Sequence, residues 1–463
     1  METAQINRYI RVTFVLLFFA LGITALLSEG IFDTGDGILH YQIARWSWKH
    51  PELFLHHWGK PVFTLIASPF AQFGYKGVVL FNMICHLGAA WLTWRIAERM
   101  KLPHATLAPF LVVFAPISWG VWQSGLTEPL FAVTLMSGIY FIVAGRYRAS
   151  ALLLSLLPFI RTEGFLILPL FAAFFLIRRE FFSCFLLTMG TLIFSLAGLF
   201  FVYHDILWII HNNPYNGDSR YGSGPLFYFV KQYEQIFGTA VAAMIPVGLF
   251  SLVLRRKGEY PTSLTMIILI AGSFLVYFIA HSLFWWKGAA GSYGLIRVMA
   301  AVVPCAVLVS LNGLQQLTRL YSEYKTAIKV TVFAMINFTV YNAVDQYGVI
   351  RVRDEKQNII FSTAQQVKNF RSAECKIYYG YPLITHAIDG DPFDYSQFME
   401  MWALESKEDF KSGDLVVWDS HFGPLQYDLS EQRLLSIPRM KEVYRSEKGT
   451  DGNNHYFVIC RYE

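Results

Sequence analysis

The sequence has few charged residues. Asp, Glu, Lys and Arg make up 15% of its 463 residues, whereas soluble domains carry about 25%. Hydrophobic residues make up 54% of the chain and aromatic residues 17%. This composition argues against an ordinary soluble protein and is typical of a chain embedded in a membrane.

Cysteine is also scarce. Five cysteines are too few for a disulfide framework, and their spacing does not resemble that of a zinc site. The glycine signature of a phosphate-binding loop is absent as well. These absences argue against a disulfide-stapled domain, a zinc-binding domain and a P-loop nucleotide-binding domain.

Apolar runs long enough to cross a membrane, or nearly so, follow one another through the first 346 residues. The first lacks a small-residue cleavage site, so we interpret it as a retained span and not as a signal peptide. The fifth and sixth are short and predict half-spans or tilted helices that meet at Arg161-Thr-Glu163. We count about eleven runs, at 10–29, 77–94, 105–122, 126–145, 149–160, 163–177, 181–203, 236–254, 262–285, 295–315 and 328–346.

Basic residues mark every second short turn between these runs. The positive-inside rule therefore predicts a cytoplasmic N-terminus, and an odd number of spans would place the C-terminal part outside. The basic turns hold Arg8 and Arg11; Arg95, Arg99 and Lys101; Arg146 and Arg148; Arg178 and Arg179; Arg255, Arg256 and Lys257; and Arg319, Lys325 and Lys329.

The other polar residues collect at the opposite ends of the spans. They fall in the 30–76 and 204–235 loops, around Glu128, at Arg161-Thr-Glu163, and in FWWKGAAGSYGLIR. A transporter is expected to place polar groups near mid-span, at broken helices. The one-sided distribution instead predicts a membrane-embedded site that opens to the exterior.

The stretch IFDTGDGILHY, residues 31–41, carries two carboxylates just after the first span. Asp33 and Asp36 are three residues apart, so a helical turn would place them on one face. Gly35 and Gly37 leave the backbone around Asp36 free to adopt an unusual path. Taken alone, the stretch also fits a solvated loop that ends a helix.

From about residue 350 the composition becomes that of a soluble domain, so we divide the chain into domains 1–349 and 350–463. FSTAQQVKNFRSA and YSQFMEMWALES predict helices, ECKIYYGYP and GDLVVWDSHF predict strands, and the chain ends in a predicted hairpin with a turn at 452–454. This alternation predicts a small α/β domain. In an exported domain Cys375 and Cys460 could form a disulfide, with two buried free thiols as the alternative.

Six motifs in this order on one face resemble the GT-C glycosyltransferases, such as protein O-mannosyltransferases and lipid A aminoarabinose transferases. The resemblance covers residues 10–346. It departs from the commonest family pattern, an Asp-Glu pair after the first span, because Gly37 follows Asp36. The motifs are GDGILHYQIA, HHWGKPVF, SGLTEPLF, RTEGFLILP, NPYNGDSRYGSGPL and GSYGLIRVMAAVVP.

The resemblance implies a polytopic α-helical fold and an inverting transferase of the bacterial inner membrane. Its donor would be a polyprenyl-phosphate-linked sugar, a hexose, mannose or related unit. Its acceptor would be a hydroxyl of a glycan, lipid or protein on the extracytoplasmic face. The sequence implies no certain cofactor, and a divalent metal near Asp36 stays an open alternative.

Transfer to a hydroxyl requires a base, and departure of a phosphate requires positive charge. We predict that Asp36 is the base and that Asp33 orients it or takes its place. Arg161 and Arg297 would hold the phosphate, since their planar fork suits it. The further predicted substrate ligands are His57, Lys60, Glu128, Glu163 and Tyr221.

Several of these residues have plainer interpretations. Glu128 could simply cap a helix N-terminus, and Arg161 with Glu163 could form a mutual ion pair. Two other functional classes also stay open. One is a transporter or flippase of lipid-linked sugars, and the other is an O-antigen-type ligase or polymerase.

Overall fold

The structure, a computed structural model, describes residues 2–215, 217, 219, 221–253, 264–372, 374–402, 410–450 and 454–463. Asn216, Asp218, Arg220 and the basic turn 255–257 lie outside the described residues, as does most of the predicted turn at 452–454. A large helical part precedes a small domain built on a five-stranded sheet.

Apolar helices form the first part of the chain, in agreement with its hydropathy. In chain order they are α1 Glu2–Leu27, α2 Asp36–Trp46, α3 Pro61–Ala71, α4 Tyr75–Arg99, α5 Ala108–Val113, α6 Pro116–Val121, α7 Glu128–Val143, α8 Tyr147–Leu154, α9 Gly164–Ile177, α10 Phe181–Leu186, α11 Met189–Ala197, α12 Trp208–His211, α13 Tyr228–Lys231, α14 Tyr233–Phe237, α15 Thr239–Val253, α16 Gly272–Lys287, α17 Val303–Leu320 and α18 Lys325–Tyr347.

Short 3₁₀ and π-helical segments extend or connect these helices. The 3₁₀ segments are Pro51–Leu55, Ala105–Leu107, Leu157–Phe159, Ile296–Val302 and Ser322–Tyr324, and the π-helical segments are Gly198–Val202 and Thr265–Ala271. Continuous helical stretches therefore run through 265–287 and 296–320, and 181–202 is a helical stretch with a turn at Leu187 and Thr188.

Six helices among the described residues are long and apolar enough to cross a membrane. They are Asn7–Leu27, Tyr75–Arg99, Phe181–Val202, Thr265–Lys287, Ile296–Leu320 and Thr326–Tyr347, and five shorter apolar helices accompany them. The predicted polytopic α-helical class is confirmed. The count of eleven spans stays a prediction, because length and composition do not show which of the shorter helices cross.

Two predicted features differ from the structure. The 30–76 segment is largely helical, since it contains α2 and α3. The 105–122 run is broken into α5 and α6, because Pro116 lacks the N–H that would continue the helix and is found instead near a helix start.

In the small domain, helix α19 Glu355–Phe370 precedes strand β1 Ile377–Tyr379. Helix α20 Pro382–Ala387, strands β2 Phe398–Glu400 and β3 Leu415–Asp419, helices α21 Phe422–Gln426 and α22 Glu431–Leu435, and strands β4 Met440–Arg445 and β5 Phe457–Tyr462 follow. The sheet order is β2-β1-β3-β5-β4. Strand β1 is parallel to β2 and β3, and β5 is antiparallel to β3 and β4.

This sheet corrects two predictions. Phe398–Glu400, within the predicted helix YSQFMEMWALES, is an edge strand, and residues 403–406 lie outside the description. The disulfide is also wrong, because Cys375 and Cys460 are both free and buried. Cys375 precedes β1 and Cys460 lies in β5, and strand β3 separates these two strands. The two thiols belong to different hydrophobic clusters, which contain alternate residues of β1 and β3.

Candidate active site

The acidic turn after the first span leads directly into helix α2, whose first residue is Asp36. The Gly37 N–H donates to Asp33 Oδ1 at 2.7 Å, which closes the turn. Gly125 packs against the same turn, and a Cβ there would lie 2.2 Å from the Gly37 carbonyl oxygen. A glycine is therefore required for this close approach, and the two aspartates are held side by side.

Arg297 joins the two carboxylates. One of its guanidinium nitrogens donates to Asp33 Oδ2 at 2.6 Å, and the other donates to Asp36 Oδ2. Arg297 is buried and lies in the segment Ile296–Val302, just before α17. A planar fork can serve two anions at once, so this pairing fixes the orientation of both aspartates.

Arg161 is the centre of a second charged cluster. It contacts Glu128 Oε1 at 2.7 Å and Glu163 Oε1 at 2.6 Å. Glu163 also accepts from the Tyr277 hydroxyl at 3.3 Å, and His281 Nε2 lies 3.2 Å from it. The mutual pair of Arg161 and Glu163 is therefore real, but it forms part of a larger network.

Lys60 is the third basic residue of the site, after Arg297 and Arg161. Its amine donates to Thr162 Oγ1 at 3.0 Å and lies 4.5 Å from the centre of the Tyr215 ring. Tyr215 in turn stacks on Trp58 with ring centres 5.5 Å apart. Lys60 has φ 62°, an uncommon conformation for a residue with a side chain, immediately before α3.

One cavity of about 340 Å³ brings these groups together. Its lining residues include three cations and three carboxylates: Lys60, Arg161, Arg297, Asp36, Glu128 and Glu163. Most of these groups lie at or beside the ends of apolar helices: Lys60 before α3, Glu128 at the start of α7, Arg161 and Glu163 before α9. Apolar side chains such as Phe165, Phe229 and Phe284 line the rest. The cavity can therefore accept a charged headgroup together with an apolar chain.

Asp33 and Asp36 differ in their proton affinity. Burial alone would raise the pKa of Asp36, but the Arg297 guanidinium, together with His40 and Arg161, outweighs this effect, and the pKa falls below its usual range. Burial raises the pKa of Asp33 despite Arg297, and the neighbouring Asp36 charge adds to this effect. Of the two carboxyl groups, Asp36 therefore favours the ionised form more strongly, which is the form that a proton acceptor requires.

Burial also lowers the pKa of two other basic groups in the cavity wall. It lowers the pKa of His40 to about 3, so this imidazole is neutral. It lowers the pKa of Lys60 from 10.5 to about 7. The charge of Lys60 therefore changes within the physiological pH range.

Six buried polar atoms of the cavity-lining residues have no hydrogen-bond partner among the residues that the structure describes. They are His40 Nδ1, Trp58 Nε1, Glu128 Oε2, Arg161 Nε, His281 Nε2, which is within ion-pair distance of Glu163, and Arg297 Nε. Leaving a buried polar atom unpaired costs about 1–3 kcal/mol. Such a concentration at one cavity is characteristic of a site that binds a polar ligand.

The other predicted site residues lie nearby but outside this lining. Asp33 reaches the cavity only through Arg297. His57 Nε2 lies 3.2 Å from the Ile209 carbonyl oxygen, beside a smaller neighbouring cavity. The Tyr221 ring lies 4.4 Å from that of Tyr293, which does line the cavity.

The sequence analysis did not identify His40, Tyr277 or His281. His40 follows Asp36 by four residues, so both lie on one face of α2. His281 is an ionisable residue inside an apolar span, which is a functional signal by default. Tyr277 carries no comparable signal, since a tyrosine in an apolar run is usually a packing residue.

A metal site finds no support in the described part of the chain. No group of three or more His, Cys, Asp or Glu side chains there is placed to hold a metal ion. Asp33 and Asp36 are both paired with Arg297. Arginine thus occupies the position beside the aspartates at which a metal was considered.

Comparison with solved structures identifies the fold. No protein-family model and no curated protein matches the chain, but two solved structures share the GT-C-like fold that the sequence motifs predicted.

The two solved structures are of ArnT from Cupriavidus metallidurans. Its structure bound to undecaprenyl phosphate is 12% identical, with a TM-score of 0.63 and coverage of 97% of both chains. Its apo structure is 11% identical, with a TM-score of 0.64 and the same coverage. At this level of identity the likeness establishes the shared fold.

Proposed function

We propose that this protein is an inner-membrane glycosyltransferase that moves a sugar from a polyprenyl-phosphate donor to an acceptor hydroxyl. The observation that carries the proposal is the single cavity that combines the ionised Asp36 with Lys60, Arg161 and Arg297. A neighbour of the same fold binds undecaprenyl phosphate, which supports a polyprenyl phosphate as the carrier.

The reaction follows from these groups. The acceptor hydroxyl would transfer its proton to Asp36 as its oxygen attacks the anomeric carbon. The bond from that carbon to the phosphate oxygen would break, and the configuration would invert. The released lipid phosphate would gain negative charge, which Arg161, Arg297 and Lys60 are suited to stabilise.

The remaining predicted residues would bind or orient the substrates. Glu128 and Glu163 hold Arg161 in place, and Asp33 does the same for Arg297. His57 and Tyr221 are proposed contacts at the edge of the site. The acceptor would be a glycan, lipid or protein reached from the extracytoplasmic side, with the domain 350–463 on that side.

Replacement of Asp36 tests this function. Asp36→Asn keeps the shape of the side chain but removes the proton acceptor, so turnover should fall by about 10²–10⁴-fold. The purified protein would be assayed with radiolabelled undecaprenyl-phosphate sugars and a cell-envelope fraction as acceptor. Binding of undecaprenyl phosphate should barely change.

Two further variants make the result specific. Asp345→Asn is the same chemical change at an exposed position of α18 and should leave turnover normal. Asp33→Asn should cost less than Asp36→Asn. Normal turnover of Asp36→Asn would refute the assignment, and a larger loss in Asp33→Asn would transfer the role of base to Asp33.

A further inference from the structure

The acidic turn (residues 31–37) is preceded by Glu29 and Gly30, and these two residues contact the first residues of the C-terminal domain. The N–H groups of Glu29 and Gly30 both donate to the Arg351 carbonyl oxygen at 2.9 Å. A Cβ at Gly30 would lie 2.1 Å from the Val352 carbonyl oxygen. The chain leaving the first span therefore lies directly against the chain entering the C-terminal domain.

Gln357 of α19 forms hydrogen bonds with both backbone groups of Ile31, the next residue along the chain. Its side-chain oxygen accepts from the Ile31 N–H at 2.8 Å, and its side-chain nitrogen donates to the Ile31 carbonyl at 3.0 Å. Gln357 is 2% exposed, and Asp354 holds it through a further bond of 2.9 Å. Both polar groups of one backbone unit are thus satisfied by a single buried side chain.

Tyr381 of the C-terminal domain contacts the residue between the two aspartates. Its hydroxyl and that of Thr34 are hydrogen-bonded at 2.7 Å, and Thr34 lies between Asp33 and Asp36. Tyr381 is 3% exposed, and its ring packs on Phe422 at 4.9 Å. Phe422 also approaches Gly35, since a Cβ there would lie 3.9 Å from its ring.

Apolar contacts complete this attachment. Ile31 and Ile38, on either side of the aspartates, are buried in the same hydrophobic cluster as Ile360, Tyr381 and Leu383 of the C-terminal domain. Farther along α2, the Gln42 side-chain nitrogen donates to Thr385 Oγ1 at 2.7 Å. The turn therefore packs as part of the C-terminal domain, although the sequence joins it to the first span.

We propose that Tyr381 is a positioning residue for the reaction, through which the C-terminal domain sets the place of Asp36 relative to Arg297. This inference rests on the proposed function. The C-terminal domain holds the aspartate turn from one side, and Arg297 holds it from the membrane side. Removing either contact lets the base move away from the acceptor, and a displacement of about 1 Å can cost 10²-fold in rate.

Tyr381→Phe and Thr34→Val each remove one hydroxyl and little else. We expect kcat to fall about tenfold in each, within the limit set by such a displacement, while KM for undecaprenyl-phosphate sugar stays unchanged. The double variant should be no slower than either single variant, because the same bond is lost. Thr34→Ser keeps the hydroxyl and should restore kcat, and Tyr395→Phe, on an exposed tyrosine of the same domain, should be normal.

Hydrogen exchange of the full-length protein gives a readout independent of activity. Amides of residues 30–40 should exchange faster in Tyr381→Phe than in wild type, and amides of α17 should not change. Normal kcat in Tyr381→Phe, additive losses in the double variant, or unchanged exchange would each overturn the positioning role. If Asp36→Asn is inactive while Tyr381→Phe is normal, only this role fails. If Asp36→Asn also has normal turnover, the proposed function is refuted, and the positioning role is refuted with it.

Discussion

At the scale of single residues, burial changes the pKa of a lysine in the candidate site. Lys60 is 5% exposed and faces Glu163, Arg161 and Asp36 across the cavity. Its desolvation outweighs the two carboxylates, so its pKa is lowered to about 7. A lysine in this state can supply positive charge to a phosphate at low pH and lose it as the pH rises.

The lowered pKa of Lys60 therefore predicts that kcat/KM for the donor depends on pH. Below pH 7 the amine is protonated and attracts the phosphate, whereas above pH 7 it becomes neutral. kcat/KM for the donor should fall as the pH is raised from 6 to 8, because this parameter reports groups of the free enzyme. Lys60→Arg keeps a permanent cation and should abolish that fall. Persistence of the same fall in Lys60→Arg would assign it to another group.

At the scale of elements, the helix that follows Arg297 is closely packed. Helix α17, which follows Arg297, packs on α15 through two glycines. A Cβ at Gly313 would lie 2.4 Å from the Met244 carbonyl oxygen, and one at Gly248 would lie 2.1 Å from the Val309 carbonyl oxygen. Small residues allow such an approach of two backbones inside a membrane.

Gly313→Val should separate these two helices. Overpacking of this kind costs about 1–3 kcal/mol, so the protein should unfold at a lower temperature in a thermal melt in detergent. Gly22→Val makes the same change in α1, where a Cβ meets nothing within 4 Å, and it should melt nearly as the wild type does. Equal melting temperatures for the two variants would contradict the packing argument.

At the scale of the whole molecule, the charged cavity and the C-terminal domain adjoin the same acidic turn. Asp36 lines the cavity, and Thr34, two residues earlier, bonds to Tyr381 of the C-terminal domain. The charged cavity and the C-terminal domain should then lie on the same side of the membrane. The distribution of basic turns predicts that this side is outside the cytoplasm.

A pair of reporter fusions tests this orientation. An enzyme that is active only in the periplasm should be active when fused after Glu463 and inactive when fused after Lys257. The physical reason is that residues 255–257 are basic in sequence, and the positive-inside rule predicts that such a segment is retained in the cytoplasm. The opposite pattern of activity would invert the topology and place the site on the cytoplasmic side.

Much of the architecture could be predicted from the sequence, because hydrophobic runs, basic turns and the helix-strand alternation are local properties of the chain. The acidic turn and the two arginines could also be identified, since charged residues at the ends of apolar runs stand out against their neighbours. The tertiary structure alone decided that Arg297 joins two aspartates 264 and 261 positions away. It also decided that Cys375 and Cys460 do not meet, and that the turn packs in the core of the C-terminal domain. Such pairings depend on which helices and strands become neighbours in space, and no periodicity along the chain records that choice.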